Sequence, residues 1–232
     1  LIEESLNSYV EIKKPGLVKN GEEIIEWSER DGWAHLYLHD KEGKVKNQIT
    51  QGPWHIEDIV SIDEDKRMVY FSANGRENVN NNTKEDPYYL HLYKVNFDGT
   101  GLQLLNPGNY DHNFSMNDKK NYFVNNFSRV NSTPASALFS VDGKKLMDLE
   151  TADLTSLFSA GYKLPETFKV KADDGVTDIF GVMYKPYDFD STKKYPIIEY
   201  VYPGPQTESV NKSFSKGMDR IDGLAQLGFV VV

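Results

Sequence analysis

A repeat limits what this chain can fold into more than any other feature. His35-Leu36-Tyr37-Leu38-His39-Asp40 is echoed by His91-Leu92-Tyr93-Lys94-Val95-Asn96, and more weakly by Ala137-Leu138-Phe139-Ser140-Val141-Asp142. The spacing is 56 residues from Leu36 to Leu92 and 46 from Leu92 to Leu138. Each copy runs into a turn holding Gly43, Gly99 or Gly143, and then into a short strand at Val45 to Thr50, Leu102 to Leu105 or Leu146 to Leu149. Upstream of each lies another apolar strand, at Ile24 to Ser28, Met68 to Ala73 and Asn121 to Asn125. Repeats of roughly 40–50 residues, each holding about four short strands, are the signature of a β-propeller. Two nearly whole blades and part of a third can be traced, fewer than a closed propeller needs. Gly75 to Asp86 is rich in Asn, lacks apolar periodicity and reads as an exposed hairpin loop. Asp63-Glu64-Asp65-Lys66 and Asn117-Asp118-Lys119-Lys120 read as turns within blades.

The totals exclude several functions. A net charge of −9 argues against a nucleic-acid partner, which needs a basic face. There is no cysteine, so a disulfide framework, a thiol nucleophile and a thiolate metal site are all ruled out. No apolar run reaches the length of a membrane span. Leu1-Ile2-Glu3-Glu4 begins in mid-pattern without Met, and Val230-Val231-Val232 ends inside an apolar strand, so a fragment of a longer protein is expected.

The last seventy residues follow a different pattern. Phe168 to Lys171 and Ile179 to Tyr184 alternate like a hairpin joined by Asp173-Asp174-Gly175. Tyr195-Pro196-Ile197-Ile198-Glu199-Tyr200-Val201-Tyr202 reads as a buried strand, stopped by Pro203-Gly204-Pro205. Ser213 to Leu227 is long enough for a helix, Gly228 sits where it should stop, and Phe229 to Val232 starts another strand. Strand, turn, helix and strand make a βαβ unit and a parallel sheet. Tyr202 is placed to aim its phenol off the end of the first strand, where α/β sheets present chemistry.

Lys193-Lys194-Tyr195-Pro196-Ile197-Ile198, followed by Val201-Tyr202-Pro203-Gly204-Pro205, resembles the start of the catalytic domain in the dipeptidyl peptidase IV branch of the prolyl oligopeptidase family of serine peptidases. There the pattern is K-K-Y-P-hydrophobic, a short strand, then Y-x-G-P. Ser28 to Tyr37 and Thr50 to Trp54 resemble late blades of the propeller that caps these enzymes, so the likeness runs from Ile24 to Val232. The resemblance implies a mostly β N-terminal part, a partial β-propeller of about two to three blades over residues 1–162. An incomplete α/β-hydrolase domain would follow over residues 163–232. It further implies a serine exopeptidase that releases N-terminal di- or tripeptides after proline, with peptide substrates and no cofactor. It implies that the Tyr202 hydroxyl stabilises the oxyanion, and that the protein is periplasmic, secreted or at the cell surface of a bacterium. A homo-oligomer is expected. An acylaminoacyl peptidase or oligopeptidase relative, or a non-catalytic propeller scaffold with a degenerate hydrolase domain, also fits the residues.

The G-x-S-x-G of a hydrolase nucleophile is absent, so no Ser is assigned that role, and the triad's Ser, Asp and His are expected outside this chain. The chain alone is therefore expected to be inactive. His35 and His39 lack an H-E-x-x-H context, and His35 matches His91 in the repeat, so both read as structural rather than metal-binding. Glu3-Glu4, read as the end of an outer blade strand, and Glu22-Glu23 are paired carboxylates. Solvated surface positions are expected for both, and neither pair is given the role of anchoring a substrate amine.

Overall fold

The computed structural model describes residues 2–7, 9–81, 85–202, 210–215 and 221–232. Its organising element is a hairpin turn used three times. Gly43 N–H donates to the Asp40 carbonyl and Asp40 N–H to the Lys44 carbonyl, each at 3.0 Å. The same pair of bonds joins Gly99 to Asn96 and Asn96 to Thr100 at 2.9 Å, and Gly143 to Ser140 and Ser140 to Lys144 at 2.9 and 3.0 Å. The three glycines have φ of 86°, 86° and 80°. This is a type I turn closed by a left-handed residue, a three-residue hairpin loop that suits glycine.

Three four-stranded sheets surround these turns. The first, in order, is β1 (Gly16–Val18), β2 (Glu23–Ser28), β3 (His35–Asp40) and β4 (Val45–Gln48). The second is β5 (His55–Asp63), β6 (Met68–Asn74), β7 (His91–Asn96) and β8 (Gln103–Leu104). The third runs from β9 (Asp111–Met116) through β10 (Tyr122–Ser128) and β11 (Ala135–Ser140) to the edge strand β12 (Lys145–Thr151). Pairing in the first two sheets is antiparallel throughout.

The repeat is kept in the backbone bonds. Ile49 N–H donates to Leu36 and Leu105 N–H to Leu92; Ile56 N–H donates to Ala34 and His112 N–H to Leu90. Both faces of β3 and β7 are covered. A shared core of Ile25, Trp27, Leu36, Ile56, Phe71 and Tyr93 lies beside them. Trp54, Phe71 and Tyr93 stack with centroids 5.5 to 6.4 Å apart.

The chain divides into two compact units: Leu1–Asn125 with Ala137–Asp148, and Asn126–Ser136 with Leu149–Val232. In the second, α2 (Thr155–Ser159) precedes the antiparallel hairpin β13 (Glu166–Lys171) and β14 (Asp178–Met183). β15 (Ile197–Ile198) pairs parallel with β16 (Val230–Val231), and α3 (Ile221–Gln226) lies between them in sequence. Tyr184, just past β14, pairs antiparallel with Val231 through bonds of 2.8 and 2.9 Å. Through that bridge the strands follow in the order β13, β14, β16, β15. Val182, Tyr184, Ala225 and Val231 form the small core beneath.

Several expectations need correcting. Three whole sheets are present rather than two and a part. The strands missed were β1, β5 and β9. β5 carries two register shifts, after Ile56 and after Ile59, and these break the alternation that would reveal it. The segment from Gly75 to Asp86 is not simply an exposed loop. It contains α1 (Arg76–Asn81), and Glu77 and Glu85 are buried because Tyr93 Oη–H donates to Glu77 and His91 pairs with Glu85. Residues 2–7 contain no strand. The paired glutamates are not simply solvated: Glu4 accepts from Ser28 Oγ–H at 2.6 Å, and Glu23 is buried under two cations. Helix α3 starts later than Ser213, because the Phe214 N–H is held by Ser128 Oγ at 2.9 Å.

Glu23, on β2, is held by Lys46 from β4 and by Arg67, whose Nη1 lies 2.6 Å from the carboxylate at the β5–β6 turn. Hydrogen bonds from Arg67 and then Lys46 hold this carboxyl down at about 2, against burial pushing it up. Its folded value lies below its unfolded value of 4.5, so its stabilisation is full above 4.5 and is lost as pH falls toward 2. Discounted for the exposure of both cations, it amounts to about 1–2 kcal/mol. Glu23→Gln should therefore flatten the urea-midpoint curve between pH 5 and pH 3; an unchanged slope would remove this pair from the stability of the fold. Gly99 supplies a second test. A Cβ there would lie 2.9 Å from the Ile49 carbonyl oxygen, whereas at Gly175 (φ 69°) nothing lies within 4 Å. Gly175→Ala should cost only the left-handed penalty of about 1–2 kcal/mol, and Gly99→Ala should cost more in the same melt. Equal costs would show that the turn relaxes freely.

Candidate functional site

The site residue expected from sequence is Tyr202, and its strand is shorter and more exposed than predicted. β15 pairs only with β16 among the described residues. Val230 N–H donates to the Pro196 carbonyl (3.0 Å), Val232 N–H to Ile198 (2.9 Å), and Tyr200 N–H to Val232 (2.7 Å). Proline at the strand's start costs nothing there, because its carbonyl is the group the ladder uses. Ile198 faces the small core, while Ile197 is 69% exposed, so the apolar run is not a buried strand. Tyr202 stands two residues beyond the last ladder bond and is 61% exposed. The expected turn at Pro203-Gly204-Pro205 lies outside the described residues.

Where the chain returns, it is held by side chains. Asn211 Nδ2–H donates to Tyr184 Oη at 3.0 Å, and Phe214 N–H donates to Ser128 Oγ. Gly228, with φ 97°, ends α3 and turns the chain into β16. Beside β15 is a hollow of about 340 Å³ lined by Phe168, Ile179, Tyr200, Val201, Val210 and Val232. The arrangement offers a phenol donor at the end of a parallel strand, close in sequence to the residues of an apolar hollow.

The histidines have structural partners. His35 Nε2–H donates to the Gly52 carbonyl (2.8 Å), and its Nδ1 accepts from the Thr50 hydroxyl (3.0 Å); burial holds its pKa below the usual range. His39 bonds the Gly43 carbonyl and contacts Glu26. His55 packs edge-on to Trp27, and burial likewise lowers its pKa. Among the described residues no group of three or more His, Asp or Glu could hold a metal. None of the described helices is long and apolar enough to cross a membrane.

Sequence reasoning missed the polar residues that anchor the segment after β6. Arg76 lies over Tyr93 (5.4 Å) and Trp54 (6.0 Å), and Glu77 accepts from the Tyr93 hydroxyl at 3.0 Å. Burial, and next the Glu77 charge, push the Tyr93 phenol far above its ordinary pKa. The available signal was the extra length between the first two repeats, with charged residues at both ends of the insertion.

The model of the dipeptidyl peptidase IV (DPP IV) N-terminal region matches residues 1–134, more than half of the chain. The chain therefore belongs to the dipeptidyl peptidase IV N-terminal region family. Human dipeptidyl peptidase 8 is 32% identical over 205 residues, covering 82% of this chain and 21% of the relative. Dipeptidyl-aminopeptidase B of Aspergillus niger is 32% identical over 213 residues, covering 87% of this chain and 22% of the relative. The crystal structure of Porphyromonas gingivalis dipeptidyl peptidase 4 superimposes with a TM-score of 0.73 at 24% identity, over 93% of this chain and 29% of that one. The chain thus spans between a fifth and a third of the proteins it matches. The mostly β, propeller-like architecture is the fold it shares with them.

Proposed function

We propose that this chain is part of a serine exopeptidase that releases N-terminal di- or tripeptides after proline. Residues 1–162 are propeller blades that restrict access to the active site. Residues 163–232 open an α/β-hydrolase domain. The observation that carries this reading is the parallel pair β15 and β16 with α3 between them in sequence and Tyr202 exposed past the end of β15. A ligand meets an α/β sheet beyond the carboxyl ends of its strands. The names of the relatives support dipeptide release.

Acyl transfer needs a nucleophile, a base and donors for the developing oxyanion. The Tyr202 hydroxyl supplies one donor. It can do so because the strand ladder fixes the backbone two residues earlier while the ring stays accessible. The triad lies outside this chain, which is inactive alone. In the full-length protein a serine attacks the carbonyl after proline, a histidine takes its proton, and Tyr202 stabilises the oxygen that gains charge.

In the full-length enzyme, Tyr202→Phe should lower kcat on a chromogenic Xaa-Pro substrate by about 10²–10³, with a much smaller change in KM. A melt at the wild-type temperature with unchanged kcat would remove Tyr202 from the mechanism. A second test concerns association. β12 is an edge strand exposed along its whole length, with Leu146, Met147 and Leu149 open to solvent. Unpaired edges template pairing with other chains. The isolated 232-residue chain should therefore self-associate in light scattering; a stable monomer at high concentration would refute this.

A further inference from the structure

The second and third sheets meet through buried polar side chains whose hydrogen bonds all run one way. Leu92 N–H, on β7, donates to Asn106 Oδ1 at 2.8 Å. Asn106 Nδ2–H donates to Asn125 Oδ1, on β10, at 3.2 Å. Asn125 Nδ2–H then donates to His112 Nδ1, on β9, at 3.0 Å, and His112 Nε2–H donates to the Gly108 carbonyl at 3.3 Å. Asn106 and Asn125 are fully buried, and His112 is 2% exposed. The direction is set at one end, since a backbone N–H can only donate. That fixes the Asn106 amide, which fixes the Asn125 amide, which leaves His112 Nδ1 as an acceptor.

We propose that the seam between these two sheets is an acid-sensitive latch, closed only while His112 is neutral with its proton on Nε2. A proton added to Nδ1 would face the Asn125 NH₂, and Asn125 cannot turn over without breaking its bond from Asn106. The surroundings oppose the charge as well. The His91 ring, on β7, lies 4.8 Å away, and its two nitrogens face two acceptors, Glu85 Oε1 (2.7 Å) and the Asn106 carbonyl (3.3 Å). Tyr110 packs edge-on against His112 at 6.3 Å, and the neighbouring Asp111 carboxylate accepts from Leu90 N–H.

The first seam differs at the matching positions. Ile56 occupies the position of His112, and its N–H makes the matching bond to Ala34. Thr50 occupies the position of Asn106, accepting from Leu36 N–H and bonding His35. A hydroxyl can rotate to donate or to accept; an amide held at both ends cannot.

Burial, and secondarily His91, hold His112 at about 3. This is below its unfolded value of 6.5, so the stabilisation is full above 6.5 and is lost as pH falls from there toward 3. The test uses the 232-residue chain at a concentration low enough for light scattering to show a monomer. Ring NMR should show His112 as the Nε2–H tautomer with no titration between pH 7.5 and 5.5. Over the same interval the unfolding equilibrium constant should rise about tenfold more in wild type than in His112→Ile. Protection of the Leu92 and His112 amides should fall relative to that of Leu36 and Ile56. Asn125→Asp, which gives Nδ1 an acceptor, should move the His112 titration above 6.5. A wild-type His112 titrating near 6.5, or the opposite tautomer, would overturn the proposal. So would a pH dependence as steep in His112→Ile as in wild type, since His35 and His55, also held low by burial, contribute equally to both. The wild-type titration decides the matter even if neither variant folds.

Discussion

Two strands, His35–Asp40 and His91–Asn96, are covered on both faces, and most of the first unit follows from that burial. A strand in the middle of a sheet pairs its backbone with both neighbours, but its buried polar side chains must find their own partners. Both strands open on a histidine, and each histidine takes at least one partner from the segment that follows the fourth strand of its sheet. His35 is met by Thr50 and Gly52, and His91 by Asn106. The same segment also takes the amide of the next residue, Leu36 or Leu92. The histidine thus ties the end of one sheet to the start of its own central strand, and the chain leaves that tie to begin the next sheet.

What the sequence revealed follows from which physical signals survive locally. The repeated strand and its glycine turn were visible because one geometry demands one residue pattern, and all three turns use the same left-handed glycine. β14 and its hairpin were visible for a similar reason: the pleat alternates, and Gly175 closes the loop. β1 was not visible, since a three-residue strand has no period to read. β9 was hidden by its composition. Asp111, His112 and Asn113 suggest a turn, yet His112 is buried because its partners are polar. Glu23 and Glu77 failed the usual rule for carboxylates because a cation for the first, Arg67, and a hydroxyl donor for the second, Tyr93, come from residues 44 and 16 positions away. No single-sequence pattern encodes that.

The candidate site was read differently. Tyr202 was reached from a turn-rich stretch and a resemblance, and its phenol stands exposed past the β15 ladder. The strand leading to it was misread as buried because Ile197-Ile198-Glu199-Tyr200-Val201 is apolar on both parities. Alternation in burial appears only where β15 meets β16: Ile198 faces inward and Ile197 outward. An apolar run signals burial on both faces only when a layer covers each face.

The two units also differ in how they resist a change of charge. In the second, the polar ties beside the candidate site are a phenol, an amide and a serine hydroxyl: Tyr184, Asn211 and Ser128. None changes protonation across the range in which histidine titrates. In the first unit the second seam places a histidine where the first seam has isoleucine, and surrounds it with partners that accept only one tautomer. The two seams share their backbone hydrogen bonds at the matching positions and differ there in side chains. The polar version gives up tolerance of acid and gains direction, since a chain of bonds running from Leu92 to Gly108 admits one arrangement of amides and one tautomer.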